Sequence, residues 1–300
     1  MEAAVGAPPA EEVRDVLLEG AGVALSALLS EPPGGAAPRA LVVAVHGGGM
    51  TARYFDARAW PGLSLLRLGA RLGFAVLAVD RPGYGRSAEA LPEGMGVEEQ
   101  TTVLRAAVAG YARRHPAGAG VFLLGHSFGG KPALCWAARA EQGDHLLGVD
   151  VSGCGRRYAA DGDSSPLAGP GGRRQHWGPL RLYPQGTFRA GADMVAPVPA
   201  REAAELTHWP ESFARLAPRV RVPVRFTFAE HEALWRHRDA DLAELAACFA
   251  MSPRVLLDRQ PDAGHNLSLG WAARAYHLRA LGFLEECLVQ NALAPGGPAR

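Results

Sequence analysis

Val121-Phe-Leu-Leu-Gly-His-Ser127-Phe-Gly-Gly130 runs an apolar strand into a Gly-x-Ser-x-Gly turn and out into a helical pattern. The apolar run ends at Gly125 and helical spacing begins after Gly130, so Ser127 falls on a sharp strand-to-helix turn. Gly125 and Gly129 carry no Cβ atoms to collide there. Such a turn lifts a serine hydroxyl clear of the backbone, while the helix N-terminus aims unpaired N–H groups and a positive dipole end at it. In a chain with 37 glycines the bare motif is a weak signal; its strand-helix setting is what makes Ser127 a candidate nucleophile.

A nucleophilic serine needs a base, an acid that orients the base, and donors for an oxyanion. His265 is the candidate base. Asp262-Ala-Gly-His265-Asn266 follows the apolar run Val255-Leu-Leu and precedes a helical pattern from near Gly270, which sets the imidazole on a loop at the C-terminal edge of a sheet. Of the other nine histidines, His126 is expected to point away from the serine and border the substrate, and His46 to brace the next loop. Glu232 is the candidate acid, because Val222-Pro-Val-Arg-Phe-Thr-Phe-Ala-Glu-His-Glu232 reads as a buried strand ending in a polar cluster. Glu230 competes, being only two residues away; parity favours Glu232, since side chains two apart on an extended strand share a face and the turn must begin between them. Asp150, ending His145-Leu-Leu-Gly-Val-Asp, and Asp262 are further alternatives.

The oxyanion donors are expected from His46-Gly47-Gly48-Gly49-Met50, which follows the strand pattern Ala40-Leu-Val-Val-Ala-Val45. Successive glycines let backbone N–H groups approach a substrate oxygen closely. Gly48 stands ahead of Gly49, paired with the amide of Phe128, the residue after the serine. Gly49 and Met50 are also expected at the substrate.

These segments, with Asp80-Arg-Pro-Gly-Tyr-Gly-Arg-Ser87 after the next strand, resemble the α/β-hydrolase superfamily over nearly the whole chain. Ala229-Glu-His-Glu232 is similar to that family's Gly-Glu-His-Asp acid turn, with Ala for Gly and Glu for Asp. The resemblance implies an α/β-hydrolase fold, a mainly parallel sheet with helices on both faces and an irregular cap insertion. It also implies a serine esterase or thioesterase acting on a small molecule through an acyl-enzyme, with no metal or organic cofactor. Acyl transfer, lactonisation or cyclisation on the same residues is the alternative, and a ligand-binding protein without turnover the third reading, because fold does not decide reaction.

Composition agrees with an enzyme of this size. Three hundred residues at 48% hydrophobic content can bury a large core, and a net charge of +1 gives no reason to expect nucleic-acid or membrane partners. The N-terminus is acidic rather than basic, and no apolar run is long enough to span a bilayer. Cys135, Cys154, Cys248 and Cys287 lack metal-ligand spacing and suit a reducing cytoplasm. Lys131 is the sole lysine among 31 basic residues, which with the Ala, Gly and Pro content points to a GC-rich bacterial genome.

Polar and apolar patterns alternate as strand and helix, the mark of a parallel sheet covered on both faces. Residues through Pro38 read as an antiparallel edge pair split near Gly20-Ala-Gly22. Strands are expected near 40–45, 74–79, 120–125, 145–151, 222–228 and 254–258, and helices near 52–72, 97–115, 130–142, 239–250 and 270–288. Core segments 1–154 and 216–290 thus flank an insertion, 155–215, rich in Gly, Pro, Arg and Trp with only short helical patterns such as Ala200 to Thr207; 291–300 read as a tail. Such a cap chooses the substrate: Arg156, Arg157, Arg173, Arg174 and Arg181 are candidates for an acidic group, and Trp177, Phe188, Met194 and Trp209 for an apolar pocket.

Overall fold

The computed structural model describes residues 12–159 and 176–293. β1 (Arg14–Gly20) and β2 (Val23–Ser30) pair antiparallel across Ala21-Gly22, whose φ values of 49° and 80° close a two-residue hairpin. Six further strands follow: β3 (Leu41–Val45), β4 (Ala75–Val79), β5 (Val121–His126), β6 (Leu146–Ser152), β7 (Val224–His231) and β8 (Val255–Gly264). They join one eight-stranded sheet of order β1-β2-β4-β3-β5-β6-β7-β8, parallel from β4 to β8.

Every residue of β3, β4 and β5 is buried, and their unbroken apolar character reflects cover on both faces. Alternation divides the core in two. Val43, Leu77, Leu123 and Val149 face α2 (Val97–Ala112), α3 (Gly130–Ala138), α4 (Ala200–Leu216) and α5 (Asp239–Ala247). Val42, Val76 and Phe122 face α1 (Leu65–Arg71) and α6 (Ala273–Leu293). The crossovers bring the C-terminal ends of β3, β5, β7 and β8 to one edge of the sheet, where ligand sites of open α/β sheets form.

Four elements depart from the sequence expectation. The helix expected over 52–72 is a short 3-10 turn at Ala52–Phe55, a loop through Pro61-Gly62 with Gly62 at φ 86°, and then α1, whose N-cap Ser64 Oγ accepts the Arg67 N–H at 3.2 Å. The insertion between β6 and β7 carries a full-length helix, α4, that continues past Thr207 with Pro210 inside it. Its apolar side, Leu206, Trp209 and Phe213, is buried, and that packing holds a helix which proline alone would interrupt. β8 extends to Gly264, so His265 directly follows the strand. α6 runs on to Leu293, into the segment read as a tail; the remainder of that tail, Arg173 and Arg174 lie outside the described residues.

Candidate active site

β5 ends at His126, and the chain reverses into a 3-10 turn at Ser127–Gly129 and then α3. Ser127 takes φ 51°, a left-handed conformation that a non-glycine residue adopts at a cost. A Cβ on Gly125 would lie 2.7 Å from the Gly129 carbonyl oxygen, and one on Gly129 2.1 Å from that of Val45, so the turn closes only with glycine at both places.

The strained turn presents Ser127 Oγ 3.0 Å from His265 Nε2, and His265 Nδ1 lies 2.7 Å from Glu232 Oε2. The other Glu232 oxygen accepts the Leu234 N–H at 2.9 Å. Burial opposes the charge on Glu232, but the facing imidazole, its hydrogen bond and the Leu234 amide outweigh it and hold the carboxyl below its ordinary pKa. Its ionised form takes the proton side of Nδ1, which leaves Nε2 to accept from the serine hydroxyl. Gly153, at φ 58°, makes room for the ring: a Cβ there would sit 2.8 Å from His265 Cε1.

The other carboxylates are engaged elsewhere. Glu230 is exposed, and its Oε2 accepts the Asp262 N–H at 2.8 Å. Asp150 is wholly buried between Arg225 and the Tyr276 hydroxyl, which donates to it at 3.1 Å. Asp262 is exposed. Among the imidazoles, His46 Nε2 accepts the Arg81 N–H at 3.0 Å while its Nδ1 lies 2.9 Å from the Gly47 oxygen, which fixes a neutral tautomer in a bracing role. His126 stacks on Tyr54 with centroids 4.5 Å apart, sets Nδ1 3.1 Å from Ser152 Oγ, and shows its other side to the site.

After β3, the glycine loop is held by a buried arginine whose role was not legible in the sequence. Arg81 uses all five of its donors: Nε on the His46 oxygen (2.8 Å), two N–H groups on Glu202 (2.6 and 2.9 Å), and one each on Gln100 (2.9 Å) and the Gly47 oxygen (3.1 Å). Burial opposes the Arg81 charge, yet Glu202 overcomes it and raises the guanidinium pKa. The Tyr84 hydroxyl donates to Glu202 at 2.8 Å and accepts the Gly49 N–H at 3.1 Å. Gly49 is thereby removed from the donor set and does not line the site; Gly48 and Phe128 do.

Ser127 and His265 open onto a cavity of about 220 Å³, bordered also by Met50, His126 and Trp177. Trp209 does not reach it: its indole is 1% exposed, donates to the Gly155 oxygen at 2.9 Å, and packs edge-on to Phe213. Phe188 is exposed and packs on Trp177, and Met194 is buried in the core, in a turn packed on the 3-10 turn at Ala52–Phe55. The cap arginines within the described residues also lie elsewhere, Arg156 and Arg157 on Glu244 and Arg181 exposed at the surface. The cavity has walls absent from the sequence reading: Lys131, Tyr158, His176, Leu206 and Trp235. Lys131 had a legible signal in being the sole lysine; the others come from the insertion and the acid loop, whose paths no periodicity traces. His176, its carbonyl bonded by Asn266 Nδ2 at 2.9 Å, sets its ring 5.8 Å from that of His265, and burial lowers its pKa to about 4.

Residues 42–276 match the model of the Alpha/beta hydrolase family, and the chain belongs to that family. Among solved structures it is similar to a thermostable carboxyl esterase from Bacillus coagulans, solved with glycerol, at TM-score 0.68 and 16% identity over 92% of this chain and 99% of that one. A soluble variant of the Saccharomyces cerevisiae monoglyceride lipase, in complex with a substrate analogue, gives TM-score 0.68 and 12% identity over 96% and 99% of the two chains. A thioesterase domain from the curacin biosynthetic pathway gives 0.56 and 17% over 90% and 99%. No curated protein sequence matches the chain significantly. Identities this low speak for the fold and leave the reaction to the site. Among the described residues, no helix is long and apolar enough to cross a membrane.

Proposed function

We propose that the protein is a serine hydrolase that cleaves a carboxylic ester or thioester of a small molecule through an acyl-enzyme. The observation that carries this reading is the continuous path Ser127 Oγ, His265, Glu232, with links of 3.0 and 2.7 Å, starting from a serine in a strained turn. In the proposed mechanism Ser127 attacks the carbonyl carbon as His265 Nε2 takes its proton. Glu232 holds the Nδ1–H and stabilises the imidazolium. The N–H groups of Gly48 and Phe128 receive the developing oxyanion. His265 then returns its proton to the leaving oxygen or sulfur, and a water it activates releases the acid. Esterase, lipase and thioesterase structures stand among those of similar fold, and the choice of ester chemistry rests on the serine, imidazole and carboxylate of the site.

A fluorophosphonate probe tests the assignment. The wild-type protein should be labelled with release of acid from short acyl esters, and Ser127→Ala should lose both. Labelling that persists in Ser127→Ala would remove the serine from its role. Free acid as the sole product across a range of added alcohol and amine acceptors separates hydrolysis from acyl transfer.

A further inference from the structure

Lys131 lies four residues past Ser127, one helical turn on, and lines the same cavity with its side chain 1% exposed. Its ammonium sits among three rings, with Nζ 4.7 Å from the centroid of Phe128, 5.2 Å from Trp209 and 5.9 Å from Tyr158. It donates one hydrogen bond, to the Tyr158 hydroxyl at 3.2 Å, although an ammonium has three donors. Among the described residues it makes no ion pair. The nearby carboxylates are committed: Glu202 to Arg81, which lies against the same Phe128 ring 4.7 Å from its centroid, and Glu205 to the Val97 N–H at 3.2 Å. A buried cation with unused donors and no counter-ion costs several kcal/mol unless something else pairs it.

The identity of the residue sharpens the point. Of 31 basic residues, this is the one that is not arginine. An arginine would need a set of partners arranged for its planar fork, whereas a lysine offers a compact point charge. A single positive charge in about 220 Å³ neutralises a monoanion and leaves a phosphate dianion half compensated.

Building on the proposed ester-cleaving site, we propose that Lys131 is its specificity residue and that the substrate is an ester or thioester carrying a carboxylate, which the ammonium binds while the reacting carbonyl meets Ser127. The cap arginines are not needed for this, since the cation comes from α3, the helix that follows Ser127. Desolvation lowers the Lys131 pKa to about 8, with Cys154, Glu202, Glu205, Arg81 and Tyr158 the titratable groups around it. Its charge is therefore present at neutral pH and lost on the alkaline side.

The test compares the para-nitrophenyl monoester of glutaric acid with para-nitrophenyl hexanoate, of similar length and uncharged. Wild type should favour the glutarate ester in kcat/KM, and Lys131→Met should lower the ratio of the two by about 30-fold, the scale of one charge-assisted hydrogen bond. An unchanged ratio overturns the proposal and leaves the serine hydrolase standing. Binding of the glutarate monoester to Ser127→Ala, measured by calorimetry with and without Lys131→Met, reads the same contact without turnover. A Lys131-dependent affinity there supports the proposal even if the hydrolase reading fails, and equal affinities overturn it. Should Lys131→Met not fold, the wild-type ratio decides. It should fall as pH rises through about 8, because kcat/KM reports the free enzyme and the comparison of two esters cancels any ionisation that acts on both alike. A flat ratio overturns the proposal.

Discussion

At the residue scale, the two carboxylates Glu230 and Glu232 make opposite claims on the imidazole. Glu232 is buried against His265 Nδ1, while Glu230 holds the Asp262 amide at the surface. Glu232→Gln keeps the shape but cannot stabilise an imidazolium, and its amide favours the wrong tautomer. Acylation measured by burst kinetics should fall by about 10⁴-fold, the scale found when such an acid is neutralised. Glu230→Gln should change it by less than about 10-fold, as a change in local field alone. The reverse ranking would move the acid to Glu230. Parity along the strand does not separate the two carboxylates. The β7–β8 register shifts between Ala229 and His231, and the strand ends at His231, so residues two apart no longer share a face.

At the scale of elements, the connection that matters joins α4 of the insertion to the glycine loop after β3. Glu202, in the first turn of α4, binds Arg81 in a two-pronged pair, and Arg81 in turn holds the His46 and Gly47 carbonyls, which aligns the loop that bears Gly48. Removing one partner of a buried pair leaves a buried charge uncompensated, at about 3–5 kcal/mol. Glu202→Gln should therefore lower the melting temperature by about 5–8 °C at this chain length. Its acyl-ester kcat should fall more than KM changes, because the displaced loop is proposed to act on the oxyanion. Unchanged melting would mean that the pair contributes nothing net. The α4–Arg81 contact is invisible in the sequence: the two residues are 121 positions apart, and the insertion has no periodic pattern that announces its partner.

Over the whole molecule, buried neutral histidines couple stability to pH. His277 is 0% exposed, its Nε2 lies 2.9 Å from Ser268 Oγ, and burial lowers its pKa to about 3. His46 and His126 are shifted in the same direction by burial. The unfolded chain takes up protons below about pH 6.5 that the folded one refuses, so stability rises with pH through that window and is lost on acidification. For His277 alone the loss by pH 5 is about 2 kcal/mol. Glu232, with its lowered pKa, adds to the loss at lower pH, whereas Asp80 and Asp150, raised by burial, oppose it there. The urea midpoint should accordingly drop between pH 7 and pH 5, and less steeply in His277→Gln. A midpoint independent of pH would contradict the neutral assignment of these rings.

What the sequence determined by itself is local or periodic. The apolar strands, the glycine-bounded turn around Ser127, the hairpin at Ala21-Gly22 and the alternation that makes a parallel sheet all follow from neighbours a few residues apart, where φ/ψ limits and apolar spacing act directly. The order of Ser127, Glu232 and His265 along the chain was equally open to reading. What tertiary structure decided is which side chains meet. Ser127 and His265 lie 138 residues apart, and their contact exists because parallel crossovers return β5 and β8 to the same edge of the sheet. Trp209 and Lys131 make the contrast sharpest. An aromatic residue on an amphipathic helix turned its ring into the core, where burial of area is most favourable, and the chain's one lysine occupied the cavity instead. Composition records both residues, but only the packing of α4 against α3 determines which of them faces the site, because burial depends on every surface that closes around a side chain and not on its own spacing.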